Sequence, residues 1–160
     1  MHTKFEFEYE LFDDINGLSI SDQHLLEKAK EATKSAYAPY SNFYVGAAAL
    51  LSNDQIVIGS NQESASFPVG ICAERTLLNS VGSQFPTLSI KTMAISYQPL
   101  GKDSNEPISP CGMCRQSLLD YEHRYGSPIK IILSGMSGNV MVLKSASNLL
   151  PFGFDGTILK

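Results

Sequence analysis

The spacing of apolar residues at the start of the chain predicts a β-strand. Between Phe5 and Leu11, aromatic or aliphatic residues alternate with glutamates. A period of two is typical of a strand with one buried and one exposed face. We therefore expect a half-buried strand with an acidic outer face. It lies in residues 1–20, an accessory extension of a single domain that spans residues 1–160.

The next segment predicts a helix followed by a hairpin. Apolar residues recur at three- and four-residue spacing, Ser21 is placed to cap the first turn, and the helix should end before Pro39. Its narrow apolar stripe consists of Leu25, Ala29, Ala32 and Ala36. Two short apolar runs, "FYVGAAALLS" and "QIVIGSN", are separated by Asn53 and Asp54, which favours a hairpin. Gly46 in the first run allows a close backbone approach.

The rest of the chain alternates helical and extended patterns. "GICAERTLLNS" predicts a helix with Ala73, Leu77 and Val81 facing inward, and "SIKTMAISYQ" predicts a strand. Ser109 and Pro110 are typical of a helix start, so "CGMCRQSLLDYEHRY" should be the next helix. "IKIILSG" and "NVMVLKSA" predict the last strands. This order implies parallel strand pairing with helices on both faces, a three-layer α/β domain.

Composition and charge favour a small substrate or a protein partner. The 160 residues carry a formal net charge of −4, and no run of Lys or Arg could follow a nucleic-acid backbone. No segment approaches the roughly 20 apolar residues that span a bilayer. The acidic and aromatic N-terminus is unlike a signal peptide. We therefore expect a cytoplasmic protein that binds neither nucleic acid nor membrane.

Three cysteines form the candidate metal site. Cys111 and Cys114 lie three residues apart in the first turn of a predicted helix, and Cys72 lies at the start of another. Three protein ligands with one open position are typical of catalytic zinc. A redox pair or two buried thiols would also explain an isolated C-x-x-C pattern, but neither would explain Cys72 and Glu74. His2, His24 and His123 are interpreted as surface or helix-face residues.

Two charged residues beside Cys72 have predicted roles in the chemistry. Glu74 lies two positions from Cys72, off its helix side, so the carboxylate is free to act as general acid and base toward a zinc-bound water. Arg75 shares the face of Cys72, and its guanidinium would offset the negative charge of three thiolates. Arg115 is a rival for that task, and a surface ion pair is the alternative for Arg75.

The linked motifs resemble those of the small, homotetrameric cytidine deaminases. The resemblance runs over about residues 36–154 through "AYAPYSNFYVGAAAL", "SNQESASF", "CAERTLL", "PCGMCRQSL" and "LLPFGF". It implies one Zn²⁺ per subunit on Cys72, Cys111 and Cys114, with Glu74 as the non-ligand carboxylate. It also implies a three-layer α/β/α fold with a mixed, mostly five-stranded sheet. The implied activity is hydrolytic deamination of cytidine and deoxycytidine, with release of ammonia, in pyrimidine salvage.

The resemblance also implies the residues that bind the substrate. Asn61 and Glu63 are similar to a ribose-binding pair, and the backbone at Ala73 to a contact with the base. Phe43 is similar to an aromatic wall of the nucleoside pocket, and Phe154 to an aromatic that reaches a neighbouring subunit's site. Alternatively, the two aromatics are core residues and Asn61 and Glu63 form a turn. One departure is Phe67, where the family often has tyrosine; it removes any hydroxyl contact there.

Three other functions remain open from the sequence. A deaminase of a cytosine-bearing antibiotic nucleoside such as blasticidin S would use the same chemistry, although the predicted ribose pair favours a nucleoside with ribose. A deaminase of polynucleotides is disfavoured by the acidic charge. A non-enzymatic binding module stabilised by zinc is the alternative from a different class, and Glu74 with the open metal position disfavours it.

Overall fold

A computed structural model describes residues 1–156 and 159, in which three helices pack on a six-stranded sheet. The strands are β1 (Tyr9–Phe12), β2 (Phe43–Leu51), β3 (Ile56–Ser60), β4 (Ile90–Pro99), β5 (Lys130–Ser134) and β6 (Val140–Leu143). The helices are α1 (Ile20–Ala32), α2 (Ala73–Gln84) and α3 (Gly112–Tyr125), and a short 3-10 helix spans Ala146–Leu149. Within the described residues, none of the helices combines the length and apolar character that crossing a membrane requires.

The layers follow from the alternation of side chains along the central strands. Ala48 and Ala94 face α1, where they pack with Leu25 and Leu26. Their sequence neighbours on β2 and β4 face the other way and pack against α2 and α3. Since helices cover both faces of these strands, consecutive residues are apolar, and apolar and polar residues do not alternate. The predicted three-layer α/β/α fold is confirmed.

The mixed sheet that the resemblance implies is confirmed, but the parallel pairing predicted for the strands separated by helices is found for β4 and β5 and not for β3 and β4. The order in the sheet is β1-β6-β5-β4-β2-β3, and only β4 and β5 pair in parallel. The strands linked by helices, β3, β4 and β5, do run in the same direction. However, β2 lies between β3 and β4 and is antiparallel to both. The hairpin thus places its first strand inside the sheet, which the chain order does not reveal.

The predicted hairpin and its close approach to α1 are present. β2 and β3 pair in register on both sides of a turn at Asp54, whose φ is +67°. A methyl group at Gly46 would lie 2.1 Å from the carbonyl oxygen of Ala29 and 2.6 Å from the amide nitrogen of Thr33. Glycine therefore lets α1 lie directly on β2.

Two predicted helix caps are displaced. Ser19, not Ser21, is the N-cap of α1, and its hydroxyl accepts a hydrogen bond from the amide of Asp22. Helix α3 begins at Gly112 with Cys111, not Ser109, as its N-cap. The Cys111 side chain makes no capping hydrogen bond. Its sulfur is therefore free of any capping role and could bind a metal. Cap preferences favour Ser, Thr, Asp and Asn, so they do not predict cysteine at this position.

The N-terminal strand adds a sixth strand to the expected five, but its burial differs from the prediction. β1 pairs with β6 only over Tyr9–Phe12. The side chains of Phe5, Phe7, Tyr9 and Leu11 are 46–59% exposed. Phe12, of the opposite parity, packs against the α1-side core. Among residues 1–156 and 159, no helix covers the face of this edge strand that carries Tyr9 and Leu11, so the alternation does not produce a buried side.

Candidate metal centre and active site

The first turns of α2 and α3 bring the three cysteines together. Cys72 and Cys111 are the N-cap residues of these helices, and Cys114 lies one turn into α3. The Sγ atoms of Cys72 and Cys111 are 3.8 Å apart, and those of Cys111 and Cys114 are 3.4 Å apart. All three sulfurs lie within 4.8 Å of one another. Among the described residues, no histidine or carboxylate joins this cluster.

The donor set fits zinc. Zinc–sulfur bonds of about 2.3 Å in tetrahedral geometry place two ligand sulfurs about 3.8 Å apart. The observed separations of 3.8 and 3.4 Å are close to that requirement. Three thiolates at two helix N-termini also lie where the helix dipoles favour negative charge. Cys72, Cys111 and Cys114 would therefore hold Zn²⁺ and leave one position for water or substrate.

Without a cation the three thiols compete for protons. The hydrogen bond with Cys114 lowers the pKa of Cys72 to about 6, with smaller contributions from Cys111 and Arg75. The same contact with Cys72 raises the pKa of the buried Cys114 thiol. One thiolate is thus stabilised because its neighbour keeps a proton. Full deprotonation of the cluster requires a cation in place of these protons.

Glu74 lies beside the sulfur cluster and is only 5% exposed. Burial raises the pKa of its carboxyl group, while hydrogen bonds from its own backbone N–H and from Cys114 act in the opposite direction. A carboxyl group whose pKa is raised by burial binds a proton more readily than a solvated one does, which suits proton transfer to and from a neighbouring group. The structure therefore places a buried carboxyl group next to the three cysteines.

The two arginines near the cluster have different surroundings. Arg75 makes no described hydrogen bond, and its positive charge acts through space to lower the pKa of Cys72. Arg115 donates from Nε to the carbonyl oxygen of Pro110 at 2.8 Å and from a terminal nitrogen to that of Leu149 at 3.1 Å. Arg115 is thus committed to backbone carbonyls, whereas Arg75 acts on Cys72 only through its charge.

The segment with Asn61 and Glu63 is hydrogen-bonded to the residue before the first cysteine. Gln62 and Ile71 exchange backbone hydrogen bonds of 2.9 and 3.0 Å. Because side chains alternate along extended backbone, Asn61, Glu63 and Cys72 lie on the side opposite to Gln62 and Ile71. The pair of polar residues and the metal ligand are thus linked through one short bridge.

Asn61 and Glu63 are both held in fixed positions. The Asn61 amide donates to the carbonyl oxygen of Phe43 at 2.9 Å and accepts from the amide of Val45 at 2.7 Å. Glu63 accepts from the backbone amides of Tyr40 and Ser41 at 2.9 and 3.2 Å. Hydrogen bonds from the Ser41 side chain and then from these amides hold the pKa of Glu63 below its usual range. Each side chain keeps unused hydrogen-bonding capacity for a ligand.

Two cavities lie beside these residues, and their walls include residues that no sequence motif indicated. Glu63 lines a cavity of about 360 Å³ together with Tyr40, Ser41, Ser64, Phe67 and Gly70. Phe43 stacks on Tyr97 with ring centroids 5.3 Å apart and lines a second cavity of about 510 Å³. In the sequence, Pro39 and the polar residues after it indicate only a turn. That Tyr40 and Ser41 line the cavity beside Glu63 is therefore visible only in the tertiary structure.

The remaining predicted residues, Ala73 and Phe154, differ in burial. Ala73 is fully buried as the first residue of α2. Phe154 is 59% exposed, and its carbonyl oxygen accepts a hydrogen bond of 2.7 Å from Gln116 on α3. Phe154 is therefore not a core residue of its own chain.

The sequence and structure are similar to those of known deaminases. Residues 19–125 match the family model of the cytidine and deoxycytidylate deaminase zinc-binding region. A cytidine deaminase of Halalkalibacterium halodurans is 33% identical over 132 residues, which cover 82% of this chain and 92% of that protein. The crystal structure of cytidine deaminase from Burkholderia pseudomallei is 36% identical with a TM-score of 0.70, covering 82% of this chain and 97% of that one. Cytidine deaminase from Mycobacterium tuberculosis gives a TM-score of 0.65 at 29% identity, over 85% of this chain and 98% of that one.

The matched region contains the elements that form the metal centre. It includes both helix N-termini that carry Cys72, Cys111 and Cys114, and it includes the buried Glu74. The similarity to the relatives extends over most of both chains. The chain therefore belongs to the cytidine and deoxycytidylate deaminase family.

Proposed function

We propose that this protein hydrolyses cytidine and deoxycytidine to uridine and deoxyuridine, with release of ammonia, in pyrimidine salvage. The observation that carries the proposal is the cluster of three sulfurs at zinc-binding separations with the buried Glu74 carboxyl beside it. A structural zinc site normally closes with four protein ligands. Three ligands and an adjacent carboxyl group are suited to a hydrolytic reaction instead. Membership of the family supports this activity.

The chain's own residues supply the proton transfers. Zinc, when bound, supplies a water whose pKa is lowered toward neutrality. Glu74 takes a proton from the water that attacks C4 and delivers it to N3 of the ring. It then transfers the water's second proton to the exocyclic amine, which leaves as ammonia. Its burial suits both the uptake and the release of a proton, since burial raises the pKa of the carboxyl group above its ordinary value.

The ribose is expected to bind to Asn61 and Glu63. The amide can donate to and accept from a ribose hydroxyl, and the carboxylate can accept from hydroxyls. Both side chains are pre-positioned by backbone hydrogen bonds, so little ordering is needed when the substrate binds. Phe43 would form an aromatic wall, and the backbone at Ala73 would contact the base.

Replacing Glu63 with glutamine is expected to raise KM for cytidine about tenfold and to change kcat little. The substitution removes the charged acceptor for a ribose hydroxyl but keeps an oxygen that can accept from the Tyr40 or Ser41 amide. Steady-state kinetics with cytidine, deoxycytidine and blasticidin S measure the effect. Glu106→Gln, an exposed glutamate that pairs with Asn139, is the matched control.

This panel also distinguishes the alternative functions. Faster turnover of blasticidin S than of cytidine, unaffected by Glu63→Gln, would assign the protein to antibiotic nucleosides. Absence of deamination with all three substrates by zinc-loaded protein would indicate a non-enzymatic zinc-binding module.

Arg75 is proposed to offset the charge of the three thiolates. Zinc with three thiolates has a net charge of −1, which opposes proton loss from a bound water. With zinc content unchanged, Arg75→Gln should lower kcat about tenfold, the effect typical of groups that tune metal ligands. Metal analysis and turnover of the same samples measure it. Wild-type turnover at full zinc occupancy would exclude this role and return Arg115 to consideration.

We propose a homotetramer in which Phe154 reaches the active site of a neighbouring subunit. The exposure of Phe154 on its own chain supports this arrangement. A cytoplasmic location and the absence of nucleic-acid binding remain predictions from the sequence.

A further inference from the structure

Arg115 joins two segments that are distant in sequence. Its guanidinium donates to the carbonyl oxygen of Pro110 at 2.8 Å and to that of Leu149 at 3.1 Å. It forms no described ion pair with a carboxylate. A planar guanidinium can hold two acceptors at once in a fixed geometry, which a lysine ammonium cannot reproduce. Both acceptors are backbone atoms, so the contact fixes main chain rather than side chains.

The first of these carbonyls belongs to the peptide that precedes a metal ligand. The Pro110 carbonyl and the Cα atom of Cys111 lie in one rigid peptide plane. A hydrogen bond to that oxygen therefore restricts the rotation of the peptide plane, and with it the position of the Cys111 Cα atom that carries the side chain. Cys111 is exposed, and its side chain makes no capping hydrogen bond that would fix the start of α3.

The second carbonyl begins the C-terminal segment that leads to Phe154. Leu149 ends the 3-10 helix, and Gln116, the residue after Arg115, donates to the Phe154 carbonyl oxygen at 2.7 Å. Glu122 on α3 accepts from the amides of Ala146 and Ser147 at 2.7 and 3.0 Å. Hydrogen bonds with side chains of α3 thus hold the C-terminal segment along this helix. Of these α3 side chains, Arg115 also bonds to Pro110, the residue before Cys111.

We propose that Arg115 is a positioning residue that couples the zinc-binding turn at Cys111 to the C-terminal segment 149–154. Loss of its two hydrogen bonds loosens both parts together, although they are 39 residues apart in the sequence. The inference rests on the proposed function only where it concerns catalysis. The two structural consequences, faster loss of zinc and a looser C-terminal segment, are measurable without substrate.

The test uses zinc-loaded protein and two readouts that do not depend on activity. The first is the rate of zinc transfer to a coloured chelator, and the second is the rate of chymotrypsin cleavage after the exposed Phe152 and Phe154. Arg115→Met removes both donors but keeps an apolar stem. We expect both rates to rise about tenfold, since hydrogen bonds from a charged group are involved. KM for cytidine should rise as well, if Phe154 completes a neighbouring site.

Three further variants separate this role from a general loss of stability. Gln116→Met removes the Phe154 contact and an exposed hydrogen bond to Asp120 within α3 but leaves the Pro110 carbonyl bonded, so cleavage should accelerate while zinc release stays at the wild-type rate. Tyr121, like Arg115, lies on α3, and its hydroxyl donates to the carbonyl oxygen of Leu78 on α2. Tyr121→Phe removes this donor and should lower the melting temperature without changing either rate. Arg115→Lys retains the charge but not the two-carbonyl geometry, and it should accelerate at least one of the two rates.

The outcomes separate the hypotheses. If Arg115→Met changes only one rate, or neither, the coupling is wrong. The same holds if Arg115→Lys matches wild type in both, because a single charge then suffices. If Arg115→Met does not fold, Arg115→Lys alone decides. Inactive wild-type protein with the expected zinc and cleavage rates would refute the proposed function and leave the coupling intact.

Discussion

Replacing Glu74 with glutamine is expected to lower kcat for cytidine about 10³-fold while zinc remains bound. The amide has almost the same shape as the carboxyl group but cannot take a proton from water or return it to the ring. The three sulfurs are unchanged, so the metal content should stay at one per subunit. Stopped assays at high enzyme concentration, together with metal analysis of the same samples, measure the loss.

The effect of this substitution on stability follows from the raised pKa of Glu74. Burial disfavours the charged carboxylate in the folded state, so at neutral pH the native protein bears a cost that the unfolded chain does not. A neutral amide removes that cost, so the melting temperature of the zinc-free protein should not fall. Glu31→Gln, at an exposed position on α1, is the control and should retain full activity. Turnover of the Glu74 variant near the wild-type rate would refute its role.

Replacing Cys114 with serine is expected to abolish both zinc binding and deamination. Cys114 is fully buried, so no solvent-exposed group can take its place. A serine hydroxyl is not deprotonated at neutral pH and does not replace a thiolate as a zinc ligand. Two cysteines are left, too few for a stable site. Ser117→Ala, one turn further along α3, is the matched control and should keep zinc and activity.

Thiol titration gives an independent measurement of the same site. The chain has only three cysteines, and all three lie in the cluster, so a thiol reagent reports on the metal centre alone. Zinc-loaded wild-type protein should react slowly, and protein treated with a chelator should expose three reactive thiols. Rapid reaction of the zinc-loaded protein, or normal zinc content in the serine variant, would contradict the ligand assignment.

The two predictions test different parts of the centre. The glutamate variant should lose proton transfer with the metal in place, whereas the cysteine variant should lose the metal itself. A catalytic zinc site with three ligands and an open position requires both results. A structural zinc site would lose stability without Cys114 but would be insensitive to Glu74.

Local patterns predicted most of the elements. The apolar spacing of residues 73–81 gave a helix with Ala73, Leu77 and Val81 buried, and the two apolar runs around Asp54 formed the hairpin. These features depend on contacts between residues close in sequence, so the period of the pattern is sufficient. Helix starts were less predictable, because Cys111 caps α3 without the hydrogen bond on which cap rules depend.

The sequence by itself determined the residue types of the site and placed the cysteines close to the N-termini of two helices, because ligand spacing of i and i+3 is a local property of one turn. Tertiary structure alone decided the insertion of β2 between its partners, the exposure of the N-terminal strand and the two carbonyls held by Arg115. These depend on which distant segments pack together. Which segments pack together depends on the free energy of the whole fold, and this cannot be inferred from any short stretch of the sequence alone.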